Sequence, residues 1–293
     1  SIMLEIRLLR YFLAAAREEN ITRAAESLHI SQPSLSKQLM ALESQLGKPL
    51  FLRGKRKIVL TEAGVLLRQR AEDIVALLDK TQAELRADPA LLGGEIAVGG
   101  HPDIRLLRTA AGLRQEHPDI HFAFYSSDEP EVLERLDHGS LDFAVLLMPV
   151  DGVKYDYLSL PGSARWGLLL PVTHPLAAEK AIVREALLRV PLLLHRRAGL
   201  QRTIAHWAQV QVEQLTVAAT YNVINGDPSG LVRSGLGALL TTEDHLSQAL
   251  PPDLCFRPLD PPLEIHQALV WKRYAPLSAQ AQAFLSRCRE ENG

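Results

Sequence analysis

The sequence predicts an α/β protein with a small unit of all-α type at its amino end, a long connecting helix, and a large carboxy-terminal region of alternating strands and helices. Three observations predict it. The chain has 293 residues, more than one core usually organises. Helical periodicity dominates as far as about Asp88, whereas short apolar strands alternate with helical patterns from Leu92 onward. Charge divides in the same way: residues 1–60 hold ten Lys/Arg against five Asp/Glu, a balance of +5, which leaves −7 on the rest of a chain whose net charge is −2. A basic end on an otherwise acidic chain marks a polyanion-binding module joined to something else.

Taking the elements in order, residues 5–17 place Leu9, Phe12, Leu13 and Ala16 at the spacing of a buried helical stripe. Thr22 is expected to cap a short second helix, whose Ala24, Ala25 and Leu28 are small enough for a neighbouring helix to come close. Ser31 caps a third, with Pro33 in the first turn, Leu35, Leu39, Leu42 and Leu46 turned inward, and Gly47 as its stop. On that wheel Pro33, Lys37, Met40, Ala41 and Ser44 face outward. Leu50–Arg53 and Ile58–Leu60 then flank the turn Gly54-Lys55-Arg56-Lys57 and read as a β-hairpin with a basic tip. Thr61-Glu62-Ala63-Gly64 opens a helix running to about Asp88, ended by Pro89. Leu67, Ala71, Ile74, Leu78, Thr81 and Leu85 give it the seam of a helix that pairs with another helix, a dimerising linker, the alternative being a helix packed on its own domain.

Beyond Leu92 the strand candidates are Glu95–Gly99, His121–Tyr125, Phe143–Leu147, Gly167–Pro171, Leu192–His195, Thr216–Thr220, Ala238–Thr241 and Ala268–Lys272, with a closing helix over Ala279–Arg289. Strands separated by helices suggest βαβ units and a mostly parallel sheet, in one large lobe or two smaller ones.

Three short helices followed by a basic hairpin, a winged helix-turn-helix, present a helix tip to a DNA major groove while cations hold the phosphates. Gln32 suits adenine N6/N7, Pro33 a thymine methyl, and the Ser36 hydroxyl either bases or phosphates, with Ser34 completing the DNA-binding set on the first turn. Lys37, Arg53, Lys55, Arg56 and Lys57 supply the salt-sensitive part of binding. Double-stranded DNA is the expected partner.

Other classes fit less well. Hydrophobic residues at 47% and charged residues at 23% argue against disorder and against a coiled-coil rod. No apolar run approaches the ~18 residues of a membrane span, and residues 1–30 carry charges throughout and hold no apolar h-region of a signal peptide, so a cytoplasmic location with no membrane partner is expected. Cys255 and Cys288 have 32 residues between them and form no CxxC, which points to free thiols rather than a disulfide framework or zinc site. There is no GxSxG, P-loop, HExxH or strand-borne GxGxxG, so neither an enzyme nor a cofactor is implied.

The residues Leu9-Arg10-Tyr11-Phe12, Ala24-Ala25-Glu26-Ser27-Leu28, Ile30 through Leu39, Leu42-Glu43, Leu46-Gly47, Leu50 through Arg53 and Leu60 through Gly64 carry a close resemblance to the LysR-type transcriptional regulators. Gly94–Gly99, His117–Ile120, Gly139–Val145, Leu170-Pro171 before His174-Pro175-Leu176, and Ser234–Gly237 extend the resemblance over almost the whole chain. It implies a helix-turn-helix domain at 1–60, a linker helix at 61–90, and a periplasmic-binding-protein-like region at 91–293. Within that region, subdomain I would span about 91–163 and 266–293 and subdomain II about 164–265, joined by two crossover strands with an effector between them. It also implies assembly as homodimers or homotetramers, with RNA polymerase as a further candidate partner. Where the family commonly carries Arg, this chain has Lys37.

Strand ends are where open α/β sheets bind ligands. Gly100, His101 and Pro102 stand after the first strand, where the family usually has a small hydroxyl residue before a helix N-terminus suited to an anion. Ser126 and Ser127, His195 with Arg196 and Arg197, and Asn222, Asn225 and Asp227 complete the effector candidates. The paired arginines favour a small anionic effector.

Overall fold

The computed structural model describes residues 4–52, 57–88, 90–221, 229–243 and 250–292. It divides into two compact units at the Leu91–Leu92 junction.

In the first unit, α1 (Ile6–Glu18), α2 (Ile21–Ser27) and α3 (Gln32–Leu46) precede the long α4 (Glu62–Arg86). Their core gathers Leu8, Phe12, Ala24, Ala25, Leu35, Leu39, Leu42 and Leu50. Asn20, not Thr22, caps α2: the left-handed Glu19 (φ 49°) ends α1, and Asn20 then takes an extended backbone and accepts the Arg23 amide at 2.9 Å. Thr22 therefore falls inside the first turn. Ser31 and Gly47 bound α3 as the sequence suggests, Ser31 Oγ accepting the Ser34 amide at 3.3 Å and Gly47 sitting at φ 63°.

The hairpin after α3 is closed by an antiparallel bridge between Phe51 and Leu60, with the Leu52 amide donating to Val59 O at 2.8 Å. Its tip residues Arg53, Lys55 and Arg56 lie outside the described residues, as does Pro89. Thr61 turns the chain into α4, accepting the Gly64 amide at 3.0 Å while its hydroxyl donates to Pro49 O at 2.7 Å. The expected helix-pairing seam is split. Ala71 is buried and Leu67 packs on the unit's own core, whereas Ile74, Thr81 and Leu85 are exposed.

The second unit runs β1 (Gly94–Gly100), α5 (Ile104–Glu116), β2 (Ile120–Tyr125), α6 (Glu129–Asp137), β3 (Phe143–Leu147), β4 (Tyr155–Ser159), β5 (Ala164–Pro171), α7 (Arg184–Leu187), β6 (Leu192–His195), α8 (Ala198–Ala208), β7 (Val217–Tyr221), α9 (Ser229–Arg233), β8 (Ala238–Thr242), β9 (Leu254–Pro258), β10 (Glu264–Ile265), β11 (Gln267–Lys272) and α10 (Ala279–Asn292). These strands form two sheets, ordered β2-β1-β3-β11-β4 and β10-β5-β8-β6-β7, with β9 also pairing with β5. The chain passes between them twice, from β4 to β5 and from β10 back to β11.

That double passage makes the sheets mixed rather than mostly parallel. β1 pairs β2 and β3 in parallel, but the returning β11 lies antiparallel to β3 and β4. In the second sheet β6 is parallel to β7 and β8, while β5 is antiparallel to β8, β9 and β10.

Both faces of each sheet are covered, which is why the strands read as near-continuous apolar runs. In the first lobe Ile96, Val98, Phe143 and Val145 pack toward α5 and α10, and the alternate residues Ala97, Ala144 and Leu146 pack toward α6. In the second, Leu168, Leu192, Leu194 and Leu240 join one core and Leu169, Leu193 and Leu239 another. No helix among the described residues is long and apolar enough to cross a membrane.

Candidate nucleic-acid interface and effector cleft

The outward face of α3 is the first site. Gln32, Pro33, Ser34 and Lys37 are exposed and Ser36 half-buried, with Met40, Ala41 and Ser44 continuing the exposed stripe along the helix. The Gln32 side-chain amide donates to Ser36 Oγ at 3.0 Å, which holds its carboxamide against the tip before any ligand arrives. The face opposite is fixed by Leu35, Leu39 and Leu42, all buried.

Two contacts set the wing against this helix. Glu43 Oε1 accepts the backbone amides of Leu50 and Phe51 at 2.6 and 3.1 Å, so a carboxylate on α3 pins the first strand of the hairpin. On the return strand, the Ile58 amide donates to Glu19 O at 3.0 Å and Lys57 Nζ stands 3.5 Å from the Glu19 carboxylate. Lys57 is thus anchored near the end of α1 while remaining highly exposed. Sequence reasoning registered Glu43 only within a run of matched residues; its partners lie on the next element, so periodicity gives no sign of them.

The second site lies where strand ends of the two lobes meet. Gly100 closes β1 at φ 89°, and a Cβ there would come within 2.2 Å of Val145 O, so the close approach of β1 to β3 requires glycine. His101 Nδ1 is 3.4 Å from Ser126 Oγ, bringing two of the predicted residues together at the ends of β1 and β2. The helix N-terminus beyond Pro102, expected to favour an anion, already has one: Asp103 caps α5, accepting the Leu106 amide at 3.0 Å. Ser127 donates its hydroxyl to Glu131, which also accepts from Tyr125 OH. Those two hydrogen bonds hold the Glu131 carboxyl below the usual carboxylate range.

On the other lobe, His195 Nδ1 accepts the Arg197 amide at 3.1 Å and its ring meets Tyr221 edge-on at 5.4 Å between centroids. Arg196 is exposed. Arg197 crosses to the first lobe: its guanidinium donates to Leu147 O and Pro149 O, both at 2.8 Å, and its Nε lies 2.8 Å from the Glu129 carboxylate. The side chains are only 15% and 21% exposed, and burial pushes the Glu129 carboxyl up and the Arg197 guanidinium down, each partly offset by the other's charge. Glu129 reads in the sequence as an ordinary acid at a helix start. Asn222, Asn225 and Asp227 lie outside the described residues. A separate hollow of about 690 Å³ on the second lobe, lined in part by Arg184, His206, Trp207 and Pro261, includes none of the predicted residues.

The comparisons with known proteins match both halves. The model of the bacterial regulatory helix-turn-helix protein, lysR family, matches residues 6–65, and that of the LysR substrate binding domain matches residues 90–293. The chain is 39% identical over 184 residues to the Hca operon transcriptional activator HcaR of Escherichia coli (strain K12), a match spanning 61% of this chain and 61% of that relative. It is 30% identical over 251 residues to a probable RuBisCO transcriptional regulator of Synechocystis sp. (strain ATCC 27184 / PCC 6803 / Kazusa), covering 83% of this chain and 72% of the other. Among solved structures, full-length CbnR complexed with its target DNA superposes with a TM-score of 0.69 at 20% identity, over 98% of this chain and 99% of that one. The curated relatives carry the names of transcriptional regulators and not of enzymes. Since the substrate-binding-domain model alone takes in more than half of the residues, the chain belongs to the LysR family of DNA-binding transcriptional regulators with an effector-binding domain.

Proposed function

We propose that α3 reads operator DNA through Gln32, Pro33, Ser34, Ser36 and Lys37, that Arg53, Lys55, Arg56 and Lys57 of the wing grip the phosphates, and that a small anionic effector held between the two lobes of the second unit controls the outcome. The observation that carries the DNA reading is the α3 tip itself. A small, polar, exposed set of side chains stands on a helix whose other face is locked into the core, beside a hairpin rich in cations. His101 and Ser126, His195 and Arg196 furnish hydrogen-bond donors and charge for the effector, and the basic residues among them favour an anion.

The exposed apolar residues Ile74, Leu77 and Leu85 on α4 support pairing with a second copy into a dimer, and through it a tetramer, so that two or more α3 tips address successive faces of one duplex. RNA polymerase is the further partner through which bound regulator acts, and the cytoplasm the place where it does so. An effector that binds one DNA-bound arrangement better shifts the footprint, and DNA then shifts effector affinity by the same factor.

The test is a gel-shift titration of the full chain against the DNA upstream of its own coding region, repeated over a salt series. A specific complex whose affinity falls steeply with salt is expected. Absence of a specific shift even at low salt would sink the proposal.

A further inference from the structure

We propose that Glu129 is a tethered stand-in for the effector's carboxylate: it occupies Arg197, and a carboxylate effector binds by taking its place there. This rests on the reading of the cleft as an effector site and deepens it by naming the chemical class and the group displaced.

Three features carry it. Arg197 belongs to the second lobe, at the cap of α8, yet all three of its guanidinium contacts named above are on the first. Two of these acceptors, Leu147 O and Pro149 O, are backbone carbonyls and cannot move away independently, so the guanidinium stays in place when the third contact changes. The third is a flexible carboxylate side chain in the first turn of α6, touching Nε and still partly open to solvent at 21%. A guanidinium fixed on one edge and satisfied by a removable carboxylate on the other is a site for carboxylate exchange. Because Glu129 is covalently tethered, a free carboxylate competes against a high local concentration, which lowers its apparent affinity and sets the response to high effector levels.

Asp128 and Glu131 flank Glu129 along α6, and Tyr155 lies within electrostatic reach; Glu131 is committed to Ser127, Tyr125 and Arg135. Glu131 therefore does not substitute for Glu129 on Arg197.

The experiment is chemical rescue of the full chain, read as Tm without DNA, using acetate as the probe and acetamide as its neutral match. Glu129→Ala is expected to lower Tm, and acetate to restore it by about 4 °C or more beyond its effect on the unsubstituted protein, with acetamide inert. The double variant Glu129→Ala/Arg197→Gln is expected to show no rescue. If Glu129→Ala does not fold alone, refolding in acetate against acetamide reads the same site, and recovery in acetate only is the supporting result. Equal behaviour in acetate and acetamide, or rescue that survives Arg197→Gln, overturns the proposal. Operator binding plays no part in this readout, so failure of the DNA or effector-control reading shows separately, in the gel shift.

Discussion

Glu43 reaches from the side of α3 to accept a hydrogen bond from the Leu50 amide at 2.6 Å, so the helix proposed to read bases also holds the strand that leads into the basic wing. A carboxylate accepting two backbone amides makes stronger hydrogen bonds than a neutral acceptor, and both donors are partly buried. Glu43→Ala leaves those donors without a protein partner and is expected to cost about 1–3 kcal/mol in urea unfolding. Glu43→Gln retains an acceptor and should cost less. In gel shifts, Glu43→Ala should weaken operator and unrelated DNA alike, because it loosens the wing and leaves the base-facing tip intact. A loss confined to the operator would show that Glu43 acts on base reading instead.

Gly64 marks a second tight junction at the start of α4. A Cβ on it would stand 2.2 Å from the carbonyl oxygen of Leu50 and 3.1 Å from the side chain of Leu60, and the first of these neighbours is backbone. Gly64→Ala normally favours a helix by about 1 kcal/mol, but here the strand must move, and a net destabilisation of about 1–3 kcal/mol is expected. Thermal unfolding decides the sign. A Tm at or above that of the unsubstituted protein would mean that the wing strand yields without strain.

The α3 tip was legible in the sequence because everything that builds it is local: a serine cap, a proline in the first turn, leucines at helical spacing, and a glycine stop. The two lobes were legible in outline for the same reason, each strand being a short apolar run. What escaped was set by distant parts of the chain. β4 is a five-residue edge strand that carries Asp156 and Ser159, and β9 is set between prolines; both become strands only because β11 and β5 offer them ladders. The mixed sheets follow from the chain's two passages between the lobes, from β4 to β5 and from β10 to β11, which no local pattern announces. Asp103 shows the limit at the site itself, since a helix start that looked open to an anion already carries a carboxylate on one of its amides. Arg197 was singled out by its neighbour Arg196 and its place after a strand, but its partners Glu129, Leu147 and Pro149 belong to the other lobe.

Arg10 and Asp79 join α1 to α4 with two contacts, at 2.5 and 3.3 Å. The hydrogen bond from Arg10 holds the Asp79 carboxyl below the usual carboxylate range. A carboxyl whose folded pKa is depressed contributes stability that is present above its unfolded value, near 3.9, and lost as pH falls through the lowered folded value. Both side chains are about half exposed, at 41% and 53%, so screening keeps the contribution to at most about 1 kcal/mol. Urea unfolding should therefore show Asp79→Asn slightly less stable than the unsubstituted protein at neutral pH, with the difference vanishing in strong acid and shrinking in high salt. A difference that grows on acidification would contradict this reading of the pair.

Gln32 and Lys57 should fail in opposite ways, and the contrast separates base reading from phosphate grip. Gln32 is held against Ser36 at the tip of α3, so Gln32→Ala removes a side chain suited to a base edge and is expected to cost about 1–3 kcal/mol on the operator with little change on unrelated DNA. Lys57 stands exposed on the return strand of the wing beside Glu19, so Lys57→Ala is expected to weaken both DNAs by a similar factor and to reduce the slope of log affinity against log salt by about one. Ser36→Ala frees the Gln32 amide from its internal partner and should relax base preference with a smaller loss of affinity than Gln32→Ala. Measured on one operator and one scrambled duplex across a salt series, equal slopes for Lys57→Ala and the unsubstituted protein would remove Lys57 from the phosphate contacts. An operator-to-scrambled ratio unchanged by Gln32→Ala would move base reading to the exposed face that continues through Lys37, Met40 and Ser44.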